Sequence, residues 1–222
     1  MTTYGSGGIG SASVSTLSKD LRRRFAGDDP AFVEWKLDPA TYTMKDAADR
    51  ARTFLFELAQ ASGSSIALTY WVFGYSAGRP LPEIWSTTIN GADCEPAFAL
   101  QDEAGFGPNW AGAEEALDWL IFGRTRAIVD AAAKQGMDVN AAVEVVKKMG
   151  PDLYEMLVMP AMPIQDAIDL ARFMVETTIG FSKFSISRPK TVGGPIEIAV
   201  ITKHEGFRWI ARKHFYSREL NP

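Results

Sequence analysis

The sequence predicts an α+β fold in which antiparallel sheets pack against pairs of helices. Three observations predict it: helical segments come first, a block rich in β-branched and aromatic residues follows, and helical segments return before two last strands. A parallel doubly wound sheet needs strands and helices to alternate, so blocks of one kind favour antiparallel sheets. The strands within each block are joined by short turns, which connect antiparallel neighbours.

The first block begins at "MTTYGSGGIG", which has two interpretations. It is either an N-terminus that exposes Thr2 once Met1 is removed, or an inner strand over residues 2–4 that runs into a glycine turn. Residues 11–26 form the first predicted helix, because their apolar side chains repeat on one face. Thr43 and Asp46 predict the start of the second helix, since they can form a reciprocal capping box.

The second block predicts a pair of strands in residues 64–89 and a third short strand in residues 95–105. Its β-branched and aromatic residues favour strands, and the turn of the pair is expected near Gly78 and Pro80. The first of these strands runs through "IALTYWVFG" and the second through "EIWSTTI".

Four helices are predicted in the third block. The first three, in residues 111–123, 125–136 and 138–150, each end at a glycine, which is a common helix stop. The fourth begins after Pro163, and an apolar stripe marks one of its faces: Ile164, Ala167, Ile168, Ala171, Val175 and Thr178. Two strands, in residues 196–202 and 207–211, then form a hairpin around "KHEG".

Length and composition fit one domain that spans residues 1–222. Of the 222 residues, 46% are hydrophobic and 23% are charged, with a formal net charge of −4. A phosphate-binding surface usually carries a basic excess, so we expect no nucleic-acid partner, and "RRR" at 22–24 is interpreted as a solvated helix face. No membrane partner is expected because no apolar run reaches the roughly 18 residues of a membrane helix. Without a signal-peptide pattern, the expected localisation is cytoplasmic.

Three stretches together resemble one known family. The segment "MPIQDAIDLARFMVETTIGFSKFSISRPKTVGGPIEIAVITKHEGFRWI" resembles the C-terminal third of β-type proteasome subunits and their bacterial relatives, where a long helix leads through a loop and a "GGPI-x-[IV]-AVI" strand into a final hairpin. The strand block resembles that family's central hairpin, and "TTYGSGGIGSASVSTLSKDL" resembles its "T-x-A-G-S" strand and first helix. The order of the three matches along nearly the whole chain is the strongest part of the resemblance.

This resemblance implies the four-layer αββα sandwich of N-terminal nucleophile (Ntn) hydrolases. It implies a threonine peptidase subunit that hydrolyses peptide bonds inside stacked homo-oligomeric rings. The implied partners are a peptide or unfolded-protein substrate and other copies of the chain, with an ATPase as a possible further partner. The resemblance implies no cofactor and no metal.

The chain also departs from the family pattern. In active members an N-terminal threonine is the nucleophile and its α-amine the base, tuned by an aspartate and a lysine in the first two hairpins. No strands that would carry these groups precede the "T-x-A-G-S"-like strand, so we expect the chain to be truncated before the nucleophile. The family's loop serine falls at Phe106, and its supporting aspartate and serine fall near Lys190 and Gly193. Gly5 matches the glycine whose backbone N–H helps form the oxyanion hole.

Two alternatives to this truncated peptidase remain open. The first is a non-catalytic, ring-forming subunit of the same fold. The second is a small-molecule amidohydrolase in which Thr2 is the catalytic nucleophile after removal of Met1. For Gly5, Gly7 and Gly8 the alternative to an oxyanion role is a turn that needs positive φ.

The other chemically active side chains have structural interpretations. Cys94 is expected to be a buried or strand-end thiol, since no histidine lies near it. His204 is placed at a hairpin tip and His214 in a basic aromatic tail. Asp102 and Glu103 are adjacent, so in a strand they point to opposite sides and are interpreted as surface charge.

The predicted helix in residues 111–123 has three carboxylates and also an apolar run. Glu114, Glu115 and Asp118 lack a histidine at helical spacing, so a metal site is not favoured. Residues 119–122, "WLIF", make the helix apolar nearly all round. Such a helix is either covered within the core or covered in part by another subunit.

Overall fold

The computed structural model of the protein describes residues 1–102, 105–187 and 190–213. The fold is α+β and its sheets are antiparallel, as the sequence predicts. The chain divides into two compact units, which we call unit 1 (Met1–Gly105) and unit 2 (Phe106–Pro222). The division does not test whether the two units belong to one domain, so the single-domain interpretation stays a prediction.

Unit 1 contains a five-stranded sheet and two long helices. Its elements are β1 (Thr2–Gly5), β2 (Gly8–Ile9), β3 (Ala12–Ser13), α1 (Val14–Ala26), a 3-10 helix (Pro30–Trp35), α2 (Met44–Ser62), β4 (Ala67–Gly74), β5 (Glu83–Asn90), β6 (Asp93–Cys94) and β7 (Phe98–Gln101). The sheet has the order β1-β4-β5-β6, and β7 also pairs with β5. The strand pair and the third short strand of the second block are therefore confirmed.

The core of unit 1 lies between this sheet and the two helices. Leu68 and Tyr70 of β4 and Ile89 of β5 are almost completely buried on the face that the helices cover. They pack with the apolar faces of α1 and α2: Val14, Leu17, Leu21, Ala51, Phe54, Leu55 and Ala59. Side chains alternate along a strand, so Trp71 and Phe73 belong to the opposite face of the sheet.

Local signals set the ends of both helices. The Ser13 hydroxyl accepts from the Thr16 N–H at the start of α1, and Gly27 ends it in a left-handed conformation. The predicted capping box of Thr43 and Asp46 is present at the start of α2. Each cap supplies partners to backbone N–H groups that have none inside the helix.

Unit 2 contains four helices and a two-stranded hairpin. Its elements are α3 (Glu115–Phe122), α4 (Arg126–Lys134), α5 (Val139–Leu153), α6 (Ile164–Phe184), β8 (Ile198–Thr202) and β9 (Gly206–Ala211). The four predicted helices and the final hairpin are thus confirmed, with the hairpin turn at residues 203–205. A small buried cluster of Leu117, Ile121 and Met174 joins α3 to α6. No helix in the described ranges is long and apolar enough to cross a membrane.

Helix α5 does not stop at Gly150, as the sequence predicts, but continues to Leu153. A Cβ at Gly150 would lie 2.9 Å from Nη2 of Arg124, so the glycine makes room for the guanidinium rather than ending the helix. The segment that follows is joined to α3, since the Glu155 N–H donates to the Ile121 carbonyl at 2.7 Å.

The predicted apolar face of α6 is only partly buried. Met174 and Ser182 are the buried residues of this helix, and Leu170 packs against the same cluster. Ile164 and Val175, both in the predicted stripe, are 58% and 39% exposed. The predicted stripe is not the buried face, because α6 packs against α3 through Leu170 and Met174 instead.

Candidate functional site

Thr2 lies on β1, which is the edge strand of the unit 1 sheet. The pairing of β1 with β4 places Thr2 opposite Trp71 and Tyr4 opposite Thr69. All four residues of β1 are exposed. The opening residues form a strand, but it lies at the edge of the sheet and not inside it, as the second interpretation predicts. The edge position leaves Thr2 exposed.

The neighbours of Thr2 in the sheet are aromatic and hydroxyl side chains. Thr2, Trp71, Ser86 and Phe98 form one row across four strands. Two residues further along the same face, in the row of Tyr4, the hydroxyls of Thr69 and Thr88 are 3.0 Å apart. None of the described register positions beside Thr2 holds a carboxylate, a lysine or a histidine. A base for the Thr2 hydroxyl would therefore have to be its own α-amine.

Met1 bears directly on that chemistry. Its side chain packs against the core cluster of unit 1. Burial lowers the pKa of the Met1 α-amine. With Met1 in place, the Thr2 nitrogen is an amide and is no base, so a reaction at Thr2 requires removal of a residue that contacts the core.

Gly5 is required by the backbone geometry of β1. Its φ is +93°, and a Cβ there would lie 2.3 Å from the Ala67 carbonyl oxygen. The Ser6 N–H donates to that same oxygen at 2.7 Å. Gly5 therefore has to be glycine both for its backbone conformation and for its close approach to β4. By contrast, Gly7 and Gly8 do not have a positive φ. In this turn the glycine with a positive φ is Gly10.

Thr2 and Gly5 are too far apart to act on one carbonyl group. Three extended residues separate their Cα atoms by about 10 Å. An oxyanion donor has to lie about 3 Å from the oxygen of the carbonyl that the nucleophile attacks. Each of the two roles stays a prediction, but the geometry does not support a site that uses both.

The Cys94 thiol is half-buried beneath α2 and packs against the unit 1 core. Arg52 donates to the Cys94 carbonyl at 3.0 Å and to the Glu95 carbonyl at 2.9 Å. Burial raises the pKa of the Cys94 thiol, which disfavours the reactive thiolate. This environment agrees with the structural interpretation of Cys94.

The remaining sequence candidates do not gather into a site. His204 is exposed in the β8–β9 turn, and Asp102 is exposed at the end of β7. Asp118 accepts from the Trp110 indole N–H at 3.0 Å, so it is already engaged. Glu103 and His214 lie outside the described residues. In the part of the chain that the structure describes, no group of three or more His, Cys, Asp or Glu side chains is placed to hold a metal.

The positions at which the chain departs from the family pattern belong to unit 2. Phe106, where the family has its loop serine, is 54% exposed. Lys190 and Gly193 are exposed in the segment before β8.

The sequence did not predict a buried polar network at the start of α2. Ser76 and the Glu83 carboxylate are hydrogen-bonded, and Glu83 also accepts from the Trp85 indole at 3.0 Å. The Met44 N–H donates to the Ser76 hydroxyl at 2.8 Å, which joins the network to the helix N-terminus. Glu83 and Ser76 are 8% and 7% exposed. One sequence signal pointed to part of this network. Side chains two residues apart in a strand lie on the same face, so Glu83 and Trp85 were placed to meet.

Arg24 corrects the interpretation of "RRR" as a solvated helix face. Arg22 and Arg23 are exposed, but the Arg24 guanidinium lies 3.3 Å from the Phe32 ring centroid and 4.6 Å from that of Phe54. Such cation–π contacts hold the 3-10 helix against α1 and α2.

Comparisons of the chain with protein-family models, with curated proteins and with solved structures found no match. The resemblance to β-type proteasome subunits therefore rests on the stretches quoted above. The function is proposed from those stretches and from the geometry of the two units.

Proposed function

We propose that this chain is a ring-forming subunit of a proteasome-like particle of the Ntn-hydrolase class. The observation that carries the proposal is the burial pattern of unit 2, where many large apolar side chains are exposed around a small core. The order of helices and strands along the chain, which is the order in the resembled family, supports it as well.

The two units differ in how they bury their apolar residues. Unit 1 has a large buried cluster between its sheet and helices, whereas the cluster of unit 2 has three buried members. In unit 2, Phe184 is 78% exposed, and Trp119 and Leu120 of α3 are 43% and 46% exposed. Exposed apolar side chains that gather in a patch mark interaction sites, and we infer that these side chains contact another chain.

The β8–β9 hairpin favours the same conclusion. A hairpin alone is marginally stable in water, and sheets normally need a third strand or a packed face. Phe207 and Trp209 lie on one face of β9, 51% and 47% exposed, with ring centroids 5.3 Å apart. An aromatic face of this kind is suited to packing against another sheet or helix layer.

Peptide-bond hydrolysis is the second candidate function, and the open edge of β1 favours it. One further strand could pair at that edge and bring a nucleophile close to Gly5. In this form of the proposal the nucleophile is a threonine on a segment preceding Met1, and Gly5 is the oxyanion donor. The threonine hydroxyl would attack the carbonyl carbon as its α-amine takes the proton; the peptide amine would leave, and water would hydrolyse the ester.

Sedimentation velocity of the full chain tests the assembly. We expect species well above the 24.3 kDa of one chain, in a discrete distribution that persists on dilution. A single species of one chain at every concentration would contradict the proposal.

Intact mass with N-terminal sequencing, on protein from its own cell, tests catalysis. A longer chain with threonine at its terminus supports the peptidase. A mass of 222 residues with Met1 retained rules out both catalytic forms and leaves the ring-forming role. A mass lower by one methionine would mean that Thr2 is the N-terminal residue, and Thr2 would remain a candidate nucleophile.

Labelling with a threonine-directed electrophile separates the catalytic forms. Thr2→Ala abolishes labelling only if Thr2 is the nucleophile. Thr3→Ala is the matched control, because Thr3 is the next exposed residue on the same strand. Labelling that survives both changes places the nucleophile elsewhere.

A further inference from the structure

Three methionines recur at a spacing of three residues between α5 and α6. They are Met156, Met159 and Met162 in the stretch "MLVMPAM". Met156 is 68% exposed and Met159 is 60% exposed, which is unusual for side chains that ordinarily fill cores. Met162 is half-buried. Seven residues thus contain two exposed thioethers and one half-buried thioether, a pattern that suggests a chemical role.

A turn brings two of these residues together. The Met162 N–H donates to the Met159 carbonyl at 3.0 Å, and Pro160 stands at the second position of the turn. Proline is favoured there because its fixed φ matches the turn. The first and fourth Cα atoms of such a turn lie within about 7 Å of each other. The long, flexible side chains of Met159 and Met162 can therefore reach a common point. Met156 lies three residues before Met159 in the same connecting segment.

Thioether sulfur is a soft, polarizable and uncharged donor. Soft sulfur ligands select Cu(I), whereas carboxylates and carbonyls suit hard cations such as magnesium and calcium. Methionine is unbranched and has three rotatable side-chain bonds, so its sulfur can adapt its position to an ion.

We propose that Met156, Met159 and Met162 form a three-thioether site for the soft monovalent cation Cu(I). The proposal uses neither Thr2 nor the side chains from which the assembly is argued. A thioether carries no proton at accessible pH, so binding displaces none. Affinity therefore stays constant from about pH 5 to about pH 8, unlike that of thiolate or imidazole sites, whose ligands must first lose a proton.

The test is titration of the full chain with silver nitrate in chloride-free buffer, followed by Cu(I) under anaerobic conditions against a Cu(I) chelator. Ag(I) is the probe because it is soft, monovalent and not redox-active here. The Cys94→Ser variant is used throughout, so that the thiol does not compete. We expect one equivalent bound per chain, with an affinity that does not change with pH.

Methionine-to-leucine changes keep the size and the apolar character of the side chain. Met159→Leu should weaken binding at least about tenfold, since losing even an outer-shell partner of a metal costs about that much. The triple Leu variant of Met156, Met159 and Met162 should abolish binding. Met137→Leu and Met149→Leu are the matched controls, because these methionines are also exposed, at 47% and 48%.

Three results would overturn the proposal. They are binding that survives the triple variant, binding that the control changes weaken equally, and affinity that falls as the pH is lowered towards 5. Circular dichroism of each variant shows whether the fold is kept, so that lost binding is not mistaken for lost structure.

Discussion

Individual residues in unit 1 are fixed by contacts between distant parts of the chain. The Ser76 hydroxyl accepts from the Met44 N–H, 32 residues away, and is bonded to the buried Glu83 carboxylate. The Ser76 hydroxyl and the Glu83 carboxylate are buried and have partners, which is the condition under which buried polar groups do not destabilise a fold. The loop that carries Ser76 is thereby held against the start of α2.

Ser76→Ala should lower the free energy of unfolding by about 1–3 kcal/mol, because the Met44 N–H loses its partner and the buried Glu83 carboxylate keeps only the Trp85 indole. Urea denaturation measures the change. Ser64→Ala is the control, since Ser64 is exposed and is expected to shift stability by less than about 0.5 kcal/mol. Equal effects of the two changes would show that the network does not stabilise the fold.

Tyr70 gives the protein a dependence on alkaline pH. It is fully buried, and burial raises the pKa of its hydroxyl well above the ordinary value of a tyrosine. Its contribution to stability is complete below the unfolded-state pKa of about 10 and is lost as the pH rises beyond it, since the unfolded chain releases the proton first.

We therefore expect the urea midpoint to fall between about pH 9 and about pH 11, and to fall less in Tyr70→Phe than in the parent. Tyr4→Phe is the control, because Tyr4 is 39% exposed on the edge strand. A fall of the same size in Tyr70→Phe and the parent would mean that other groups cause the alkaline loss.

At the scale of elements, the pairing of β1 with β4 depends on one glycine. Gly5 combines a positive φ with a close approach to the Ala67 carbonyl. Both features exclude a side chain, so Gly5 has a structural reason to be glycine whether or not its N–H takes part in a reaction.

Gly5→Ala should destabilise unit 1 by more than about 1–2 kcal/mol, the cost of the left-handed conformation alone. Native-state hydrogen exchange of the β1 and β4 amides locates the loss. Gly7→Ala is the matched control, because Gly7 has no positive φ and no heavy atom within 4 Å of an added Cβ. If Gly7→Ala proved as harmful as Gly5→Ala, the close approach would not be the cause.

For the whole molecule, unequal burial in the two units is the main physical feature. A surface helix normally has one apolar face, which the core covers. In unit 2 the apolar face of α6 and the aromatic face of β9 both extend beyond the area that its small cluster covers. The association with other copies that we propose would remove this surface from water.

The double change Phe207→Thr and Trp209→Thr should shift sedimentation toward the single chain, because it removes two aromatic side chains from an exposed strand face and keeps β-branched residues there. Val33→Thr is the control, since Val33 is 64% exposed in unit 1. An unchanged distribution in the double variant would exclude this face from the assembly.

Much of the secondary structure could be predicted from sequence because its signals are local. The capping box of Thr43 and Asp46 and the hairpin around His204 are found where the sequence places them. These signals report contacts between residues a few positions apart. The helix stop predicted at Gly150 was wrong because the reason for that glycine is not local. A side chain there would collide with Arg124, which lies outside α5 in unit 2.

The amino-acid pattern was sufficient for the α+β class, the number and order of the long elements, and the candidates Thr2 and Gly5. It was insufficient for the edge position of β1, for the distance between those two residues, and for the partners of Glu83 and Arg24. Propensity and periodicity describe what a residue does with its close neighbours along the chain. Which strand becomes an edge, and which buried polar groups meet, depends on contacts between segments that are far apart in sequence and form only when the chain packs.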